Sequence, residues 1–196
     1  MGHRHFLLNK PWGVLSQFVS NQPTRRNKRL LGELYDFPAG TMAVGRLDQD
    51  SEGLLLLTTD GKLSARVTGR RVAKEYYVQV DGSIAPAALA RLQRGVRITV
   101  EGQPYETLPG AARMLPPAPV PFPRGKPVRD ARHGPTSWVA VTIQEGKNRQ
   151  VRKMTAAVGH PTLRLVRWRI GHLELADLPP GGVREVSEAW ISGKIG

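Results

Sequence analysis

The sequence predicts an α+β fold in which short helices flank a mixed, largely antiparallel sheet. Two observations favour this class. Several apolar or alternating runs of strand length are bounded by turns rich in glycine and proline. Only single short helical patterns interrupt these runs, and continuous strand–helix–strand alternation is absent. This pattern disfavours a parallel sheet with a crossover helix after every strand.

The first elements are a strand, a pair of helical turns and a second strand. Phe6–Leu8 is apolar and precedes a turn that contains Pro11 and Gly13. Leucines between positions 30 and 34, with Phe37, recur at helical spacing and predict helical turns that face the core. The uninterrupted apolar run Leu54–Leu57 predicts a buried strand.

The middle of the chain alternates between helix and strand signals. Asp60 is placed to cap a short helix over residues 61–68. Residues 74–80, KEYYVQV, alternate as a half-buried strand does. Pro86 at the start and Gly95 at the end delimit a helix over 86–94. Further strands are predicted at 96–100 and 110–115.

A loop rich in proline and basic residues is predicted at 116–135, because seven of the 16 prolines fall there and remove backbone donors. Its arginines and lysine suit either an RNA-contacting loop or a solvated insertion. Strands at 136–143 and 162–170 and a helix at 149–158 complete the pattern. Arg164, Arg167 and Arg169 lie among apolar residues in 162–170, and we expect these arginines to face solvent or a ligand.

The amino-acid composition limits the kinds of function that this chain can have. The formal net charge of +13 favours a polyanionic partner, either nucleic acid or an anionic membrane surface. The absence of cysteine excludes disulfide scaffolds, thiolate metal sites and cysteine nucleophiles, and the five histidines show no metal-ligand spacing. No export signal and no membrane-spanning run is present, so we expect a cytoplasmic protein. A second basic cluster, Arg25 to Arg29, suits a solvated loop or a contact with RNA phosphates.

Residues 45–53, GRLDQDSEG, place carboxylates at alternate positions beside Arg46. A structural loop with side chains bonded to backbone is one interpretation. A calcium loop is excluded because its twelfth position would be Thr59, which cannot replace a bidentate glutamate. A paired-carboxylate glycosidase is disfavoured because acids in one loop rarely flank a bond from opposite sides. The remaining interpretation is a single catalytic aspartate, Asp48, that acts on a nucleic acid.

Three ordered motifs resemble the pseudouridine synthases of the RsuA type. GRLDQDSEGLLLLTTDG, from Gly45 to Gly61, is similar to the catalytic motif of that family and implies that Asp48 is the catalytic aspartate. KEYYV at 74–78 resembles the strand with the active-site tyrosine, here Tyr76, and EGKNRQVRKM at 145–154 resembles the segment with the basic partner, here Arg152.

The resemblance covers about residues 6–187, and we expect these to form the core of a single pseudouridine synthase catalytic domain over residues 1–196, with two lobes around a central cleft. Many members carry an S4-type RNA-binding module, and we expect this chain to lack one because its sequence opens directly on the catalytic core. This expectation, the opening LNKP…LSQF at 8–18 and the helix motif NRQVRKMTA at 148–156 point to the RluE-like branch. That branch implies isomerisation of a uridine in large-subunit (23S) ribosomal RNA by a monomer that needs no cofactor or metal.

The resemblance also implies roles for single residues. Asp48 must be ionised, and a guanidinium at Arg152 would favour the charged carboxylate and orient it. Tyr76 would offer an aromatic face and a phenol to the base, with Tyr77 turned to the interior by strand alternation. Arg46 would fill the space of the extruded base or hold a phosphate. The expected groups of the cleft rim, which bind the RNA backbone, are Lys10, Lys147, Asn148, Arg149 and Gln150.

Two rival functions remain open on sequence alone. A non-enzymatic ribosomal RNA-binding or assembly factor would share the basic core but has no need of Asp48, Tyr76 and Arg152 together. An aspartate-dependent nucleoside hydrolase would need an acidic pocket, which the basic composition disfavours.

Overall fold

The computed structural model describes residues 2–19, 28–69, 72–127 and 133–195. Strands in these residues are β1 His5–Lys10, β2 Met42–Ala43, β3 Glu52–Thr58, β4 Lys74–Asp81, β5 Arg97–Val100, β6 Gln103–Glu106, β7 Ala111–Met114, β8 Thr136–Ile143, β9 Thr162–Ile170, β10 Leu173–Glu174 and β11 Val183–Val186. The α-helices are α1 Gly61–Gly69, α2 Pro86–Arg94, α3 Gln150–Ala157 and α4 Glu188–Ser192. The predicted α+β class with a largely antiparallel sheet is confirmed.

The chain divides into two compact units. The first contains Met1–Val72 and Arg167–Gly196, and the second contains Ala73–Val166. The expected cleft between two lobes stays a prediction. In the described part of the chain, no helix is both long and apolar enough to cross a bilayer.

The first unit is organised around strand β3. Strand β1 pairs with β3 on one side and with β11 on the other, and both pairings are antiparallel. All seven residues of β3 are buried, as its uninterrupted leucine run predicted. Phe6 and Leu8 of β1 join Leu55 and Leu57 in the core.

The helical turns predicted at 30–37 are shorter in the structure. A single 3-10 turn covers Leu31–Glu33, although the apolar residues around it do pack against the core as expected. Pro38 disfavours helical backbone at Phe37, so a helix would not extend to the end of the predicted segment. The Asp60 cap is confirmed, because its carboxylate accepts a hydrogen bond from the N–H of Lys62 at 2.8 Å.

The second unit pairs β4 with β8 along eight residues and adds β7 on the other side of β8. Strands β5 and β6 form a separate hairpin. The proline-rich segment is irregular over 116–127, as predicted. Its Arg129 and Arg132, and also Arg25 and Arg26 of the second basic cluster, lie outside the described residues.

Candidate active site and RNA-binding residues

Asp48 lies half-buried in the loop between β2 and β3. The N–H of Ser51 donates to the carbonyl oxygen of Asp48 at 3.1 Å and closes a tight turn. Gly53 follows with φ +106°, and its Cα lies so close to the backbone of Arg167 that a Cβ would overlap it. The loop therefore returns to the sheet at a position that only glycine fits.

Arg167 of β9 ties the two ends of this loop together. Its Nε donates to the carbonyl oxygen of Leu54 at 2.7 Å, and its Nη1 donates to that of Arg46 at 3.5 Å. The Arg167 side chain is only 3% exposed. The sequence did not predict that this residue supports the site. Its position among apolar neighbours in a strand was the only feature that could have indicated a buried structural role.

The prediction that arginines of 162–170 face solvent or a ligand is wrong for two of them. Arg164 and Arg167 are both buried. Arg164 donates to the carbonyl oxygen of Phe122 at 3.2 Å. Backbone carbonyls thus accept the hydrogen bonds that water or phosphate would otherwise accept. These bonds offset part of the free-energy cost of burying a guanidinium. Arg169 is half-buried and pairs with Glu174 at 2.6 Å.

Lys10 is not a rim residue, contrary to our expectation. Its side chain is completely buried, and Nζ donates to the carbonyl oxygens of Val14 at 2.7 Å and Pro11 at 3.1 Å. The ammonium therefore stabilises the turn after β1 instead of contacting an RNA phosphate. Arg46 has an exposed side chain, and its contact with RNA stays a prediction.

Burial lowers the pKa of Lys10 from 10.5 to about 7, and the positive charge of Arg167 adds to this effect. The nearby carboxylates of Glu52, Asp50 and Asp48 oppose it. At pH values between these two pKa values the unfolded chain holds a proton that the folded chain has lost. Folding stability from this group therefore rises with pH in that window.

We expect Lys10→Met to remove this dependence. The free energy of unfolding of the unmodified chain, minus that of Lys10→Met, should increase from about pH 7 to about pH 9 by up to about 1.4 kcal/mol per pH unit. Urea unfolding of both chains across this range measures the difference. A difference that stays flat with pH would contradict the titration of Lys10.

In the second unit, Tyr76 and Tyr77 lie on opposite faces of β4, as strand alternation requires. We expected Tyr77 to be the more buried of the two, but the more buried side chain is that of Tyr76. Tyr76 is buried on the face of Val78 and Val80, whereas Tyr77 is half-buried. The assignment of Tyr77 to the interior is therefore wrong. The contact of Tyr76 with a substrate stays a prediction.

The segment before helix α3 is basic and exposed. Lys147, Asn148 and Arg149 are all exposed, as a role on an RNA-binding rim requires. Arg149 adopts φ +52° immediately before the helix begins, a left-handed conformation that few residues with a Cβ adopt. Arg152 is half-buried on the helix itself.

Gln150 does not belong to the exposed rim, because it is only 3% exposed. Its Oε1 accepts from the N–H of Lys147 at 3.0 Å, and its Nε2 donates to the Glu145 carboxylate. Glu145 also accepts from Tyr105 Oη at 2.6 Å and from the N–H of Leu108 at 2.9 Å. Glu145, which sequence analysis did not single out, thus fastens the basic segment to the β5–β6 hairpin.

The predicted site residues are therefore distributed over both units. Asp48 and Arg46 belong to the first unit, and Tyr76, Arg152 and the basic segment belong to the second. The pairing of Asp48 with Arg152 stays a prediction. Within the first unit, the half-buried carboxylate of Asp48 lies on a loop with several backbone anchors. Such a carboxylate suits nucleophilic or acid–base chemistry at one atom of a substrate.

Comparison with known proteins identifies the family. The family model described as RNA pseudouridylate synthase matches residues 4–157. The chain belongs to this family, and the resemblance to its RsuA type is confirmed.

More specific relatives support the RluE-like branch. A protein of Xanthomonas axonopodis pv. citri (strain 306), named ribosomal large subunit pseudouridine synthase E, is 51% identical over 89% of both chains. A protein of the same name from Vibrio parahaemolyticus is 43% identical over 92% of this chain and 72% of its own. A crystal structure of a pseudouridylate synthase superposes with a TM-score of 0.78 at 27% identity, covering 100% of this chain and 74% of that one.

Proposed function

We propose that this chain converts one uridine of large-subunit ribosomal RNA to pseudouridine. The observation that carries the proposal is the 51% identity, over 89% of both chains, to a protein named for that activity. The net charge of +13 supports a polyanionic substrate. The rival function of a non-catalytic assembly factor leaves the anchored Asp48 loop without a purpose.

The reaction is an isomerisation that needs no external reactant. The N1–C1′ bond breaks, the detached uracil turns, and a C5–C1′ bond forms. The proton released from C5 is balanced by the proton that N1 gains. Asp48 supplies the carboxylate on the ribose side of the breaking bond, and Arg152 orients that carboxylate by hydrogen bonds.

A uridine in folded RNA has to leave its stack before it can reach Asp48, at a cost of a few kcal/mol. Tyr76 provides the aromatic surface that receives the extruded base, and Arg46 occupies the vacated space or holds a neighbouring phosphate. The exposed Lys147 and Arg149 bind the RNA backbone, and Asn148 lies between them. We also propose that residues 6–187 act as one catalytic domain and that the protein works as a cytoplasmic monomer.

Two substitutions of Tyr76 separate its possible contributions. We expect Tyr76→Leu to lower kcat on the order of 10²-fold, because it removes the aromatic face and the phenol together. Tyr76→Phe keeps the ring, so its kcat reports proton transfer by the phenol alone. Single-turnover assays with both variants provide the measurement. Near-normal kcat in Tyr76→Leu would exclude Tyr76 from the site.

Incubation of the purified chain with unmodified large-subunit ribosomal RNA tests the proposal directly. We expect pseudouridine to appear at one position and no free uracil to be released. Release of uracil would indicate a hydrolase instead, and tight binding without conversion would indicate an assembly factor.

A further inference from the structure

The loop that carries Asp48 is fastened to the turn after β1 on both sides of the aspartate. Ser16 Oγ donates to the carbonyl oxygen of Leu47 at 2.7 Å and accepts from the N–H of the same residue at 3.0 Å. The N–H of Gly13 donates to the carbonyl oxygen of Gln49 at 2.8 Å, and Gln49 Nε2 donates to that of Gly13 at 3.1 Å. The residues before and after Asp48 are thus both held by this turn.

These contacts constrain the backbone of Asp48 itself. The carbonyl of Leu47 belongs to the peptide group that precedes Asp48 Cα, and this carbonyl is bonded to Ser16. The carbonyl of Asp48 belongs to the next peptide group, and this carbonyl is bonded to the N–H of Ser51. Because peptide groups are planar, fixing both of them fixes φ and ψ of Asp48 and so the direction of its Cα–Cβ bond, from which the carboxylate extends.

Ser16 has a special place in this arrangement because one hydroxyl satisfies both backbone groups of Leu47. Ser16 and Leu47 are both buried, so water does not readily replace the hydroxyl. Leu47 lies in irregular backbone, outside the strands and helices. Loss of the hydroxyl would leave a buried donor and a buried acceptor without that partner, and the local backbone would shift to satisfy them.

We propose that Ser16 is a positioning residue for the isomerisation. Its hydroxyl holds the Leu47–Asp48 peptide in the orientation that directs the Asp48 carboxylate at the reacting sugar. Ser16 acts through this peptide and not through a contact with RNA. The inference rests on the proposed function, since it concerns the geometry of the same reaction.

Steady-state kinetics of Ser16→Ala test the inference. We expect kcat to fall about 10- to 100-fold, because small displacements of a reacting group cost that much. KM should change by less than about threefold, because the RNA-binding residues are untouched. Ser16→Thr keeps the hydroxyl and should recover most of the lost kcat. A kcat of Ser16→Ala within about twofold of the unmodified chain would overturn the inference.

Ser137 supplies a matched control in the second unit. Its hydroxyl donates to the carbonyl oxygen of Gly82 at 2.8 Å and accepts from the N–H of Ile84 at 3.0 Å. The exposed fraction is 8% for Ser137 and 9% for Ser16. Ser137→Ala should lower the melting temperature as Ser16→Ala does but leave kcat unchanged. An equal loss of kcat in both variants would mean that Ser16 has only a structural role.

A further variant covers the case in which Ser16→Ala does not fold. Gln49→Ala removes one bond on the other side of Asp48 and should lower kcat about threefold or more with KM nearly constant. If Ser16→Ala does not fold, an unchanged kcat of Gln49→Ala would overturn the inference. If the unmodified chain itself makes no pseudouridine, the proposed function fails; if it is active and both variants keep full kcat, only the positioning role fails.

Discussion

Asp48→Asn is expected to reduce pseudouridine formation on the order of 10⁴-fold while leaving RNA affinity almost unchanged. The amide is nearly isosteric with the carboxylate, so the loop anchors at Leu47 and Gln49 should persist. What is lost is the negative charge and the nucleophilic or basic oxygen. Single-turnover conversion of large-subunit ribosomal RNA, together with a filter-binding titration, measures both quantities.

Asp50→Asn is the matched control for this prediction. Asp50 lies two residues further along the same loop and is half-buried like Asp48. The substitution makes the same change of charge and shape, but we assign Asp50 no catalytic role. Asp50→Asn should therefore keep turnover close to that of the unmodified chain. Comparable losses in both variants would attribute the effect to the loop's total charge instead of to Asp48.

Arg152→Ala should give the second-largest effect, a loss of kcat of about 10²- to 10³-fold. The reason lies in the proposed pairing, in which the guanidinium would align the Asp48 carboxylate by paired hydrogen bonds. Arg152→Lys restores the charge without the planar pair of donors, so it should recover only part of the activity. Kinetics of both variants on the same RNA substrate provide the measurement.

Lys153→Ala separates catalysis from simple charge loss. Lys153 is the next residue of helix α3 and is also half-buried. Its removal deletes one positive charge from the same helix and should affect RNA affinity alone. Near-normal turnover of Arg152→Ala, or equal losses of affinity and turnover in both variants, would refute the pairing of Arg152 with Asp48.

Much of the fold could be predicted because its elements carry local signals. The proline and glycine at its ends delimited helix α2 at 86–94, and alternation located strand β4 to within one residue. Uninterrupted leucines predicted the buried strand β3. The prediction for 30–37 was less accurate, because the apolar spacing is satisfied by side chains that pack on the core without a continuous helix.

The candidate site was predicted less completely, because much of it depends on long-range contacts. Arg167 bonds the carbonyl of Arg46 across a separation of 121 residues, and Ser16 bonds Leu47 across 31. The spacing of apolar and polar residues along the chain carries no information about hydrogen-bond partners so far apart in sequence. A lysine or glutamine beside basic residues suggests a solvated rim, yet Lys10 and Gln150 bond to protein groups inside the fold.

Mapping pseudouridines in the ribosomal RNA of cells tests the central claim most directly, namely that this chain isomerises one uridine through Asp48. Three strains suffice: one with the unmodified gene, one without it and one in which the gene carries Asp48→Asn. We predict a single pseudouridine of large-subunit RNA that is present in the first strain and absent from the other two. An unchanged set of pseudouridines in the strain without the gene, or full modification by Asp48→Asn, would contradict the claim.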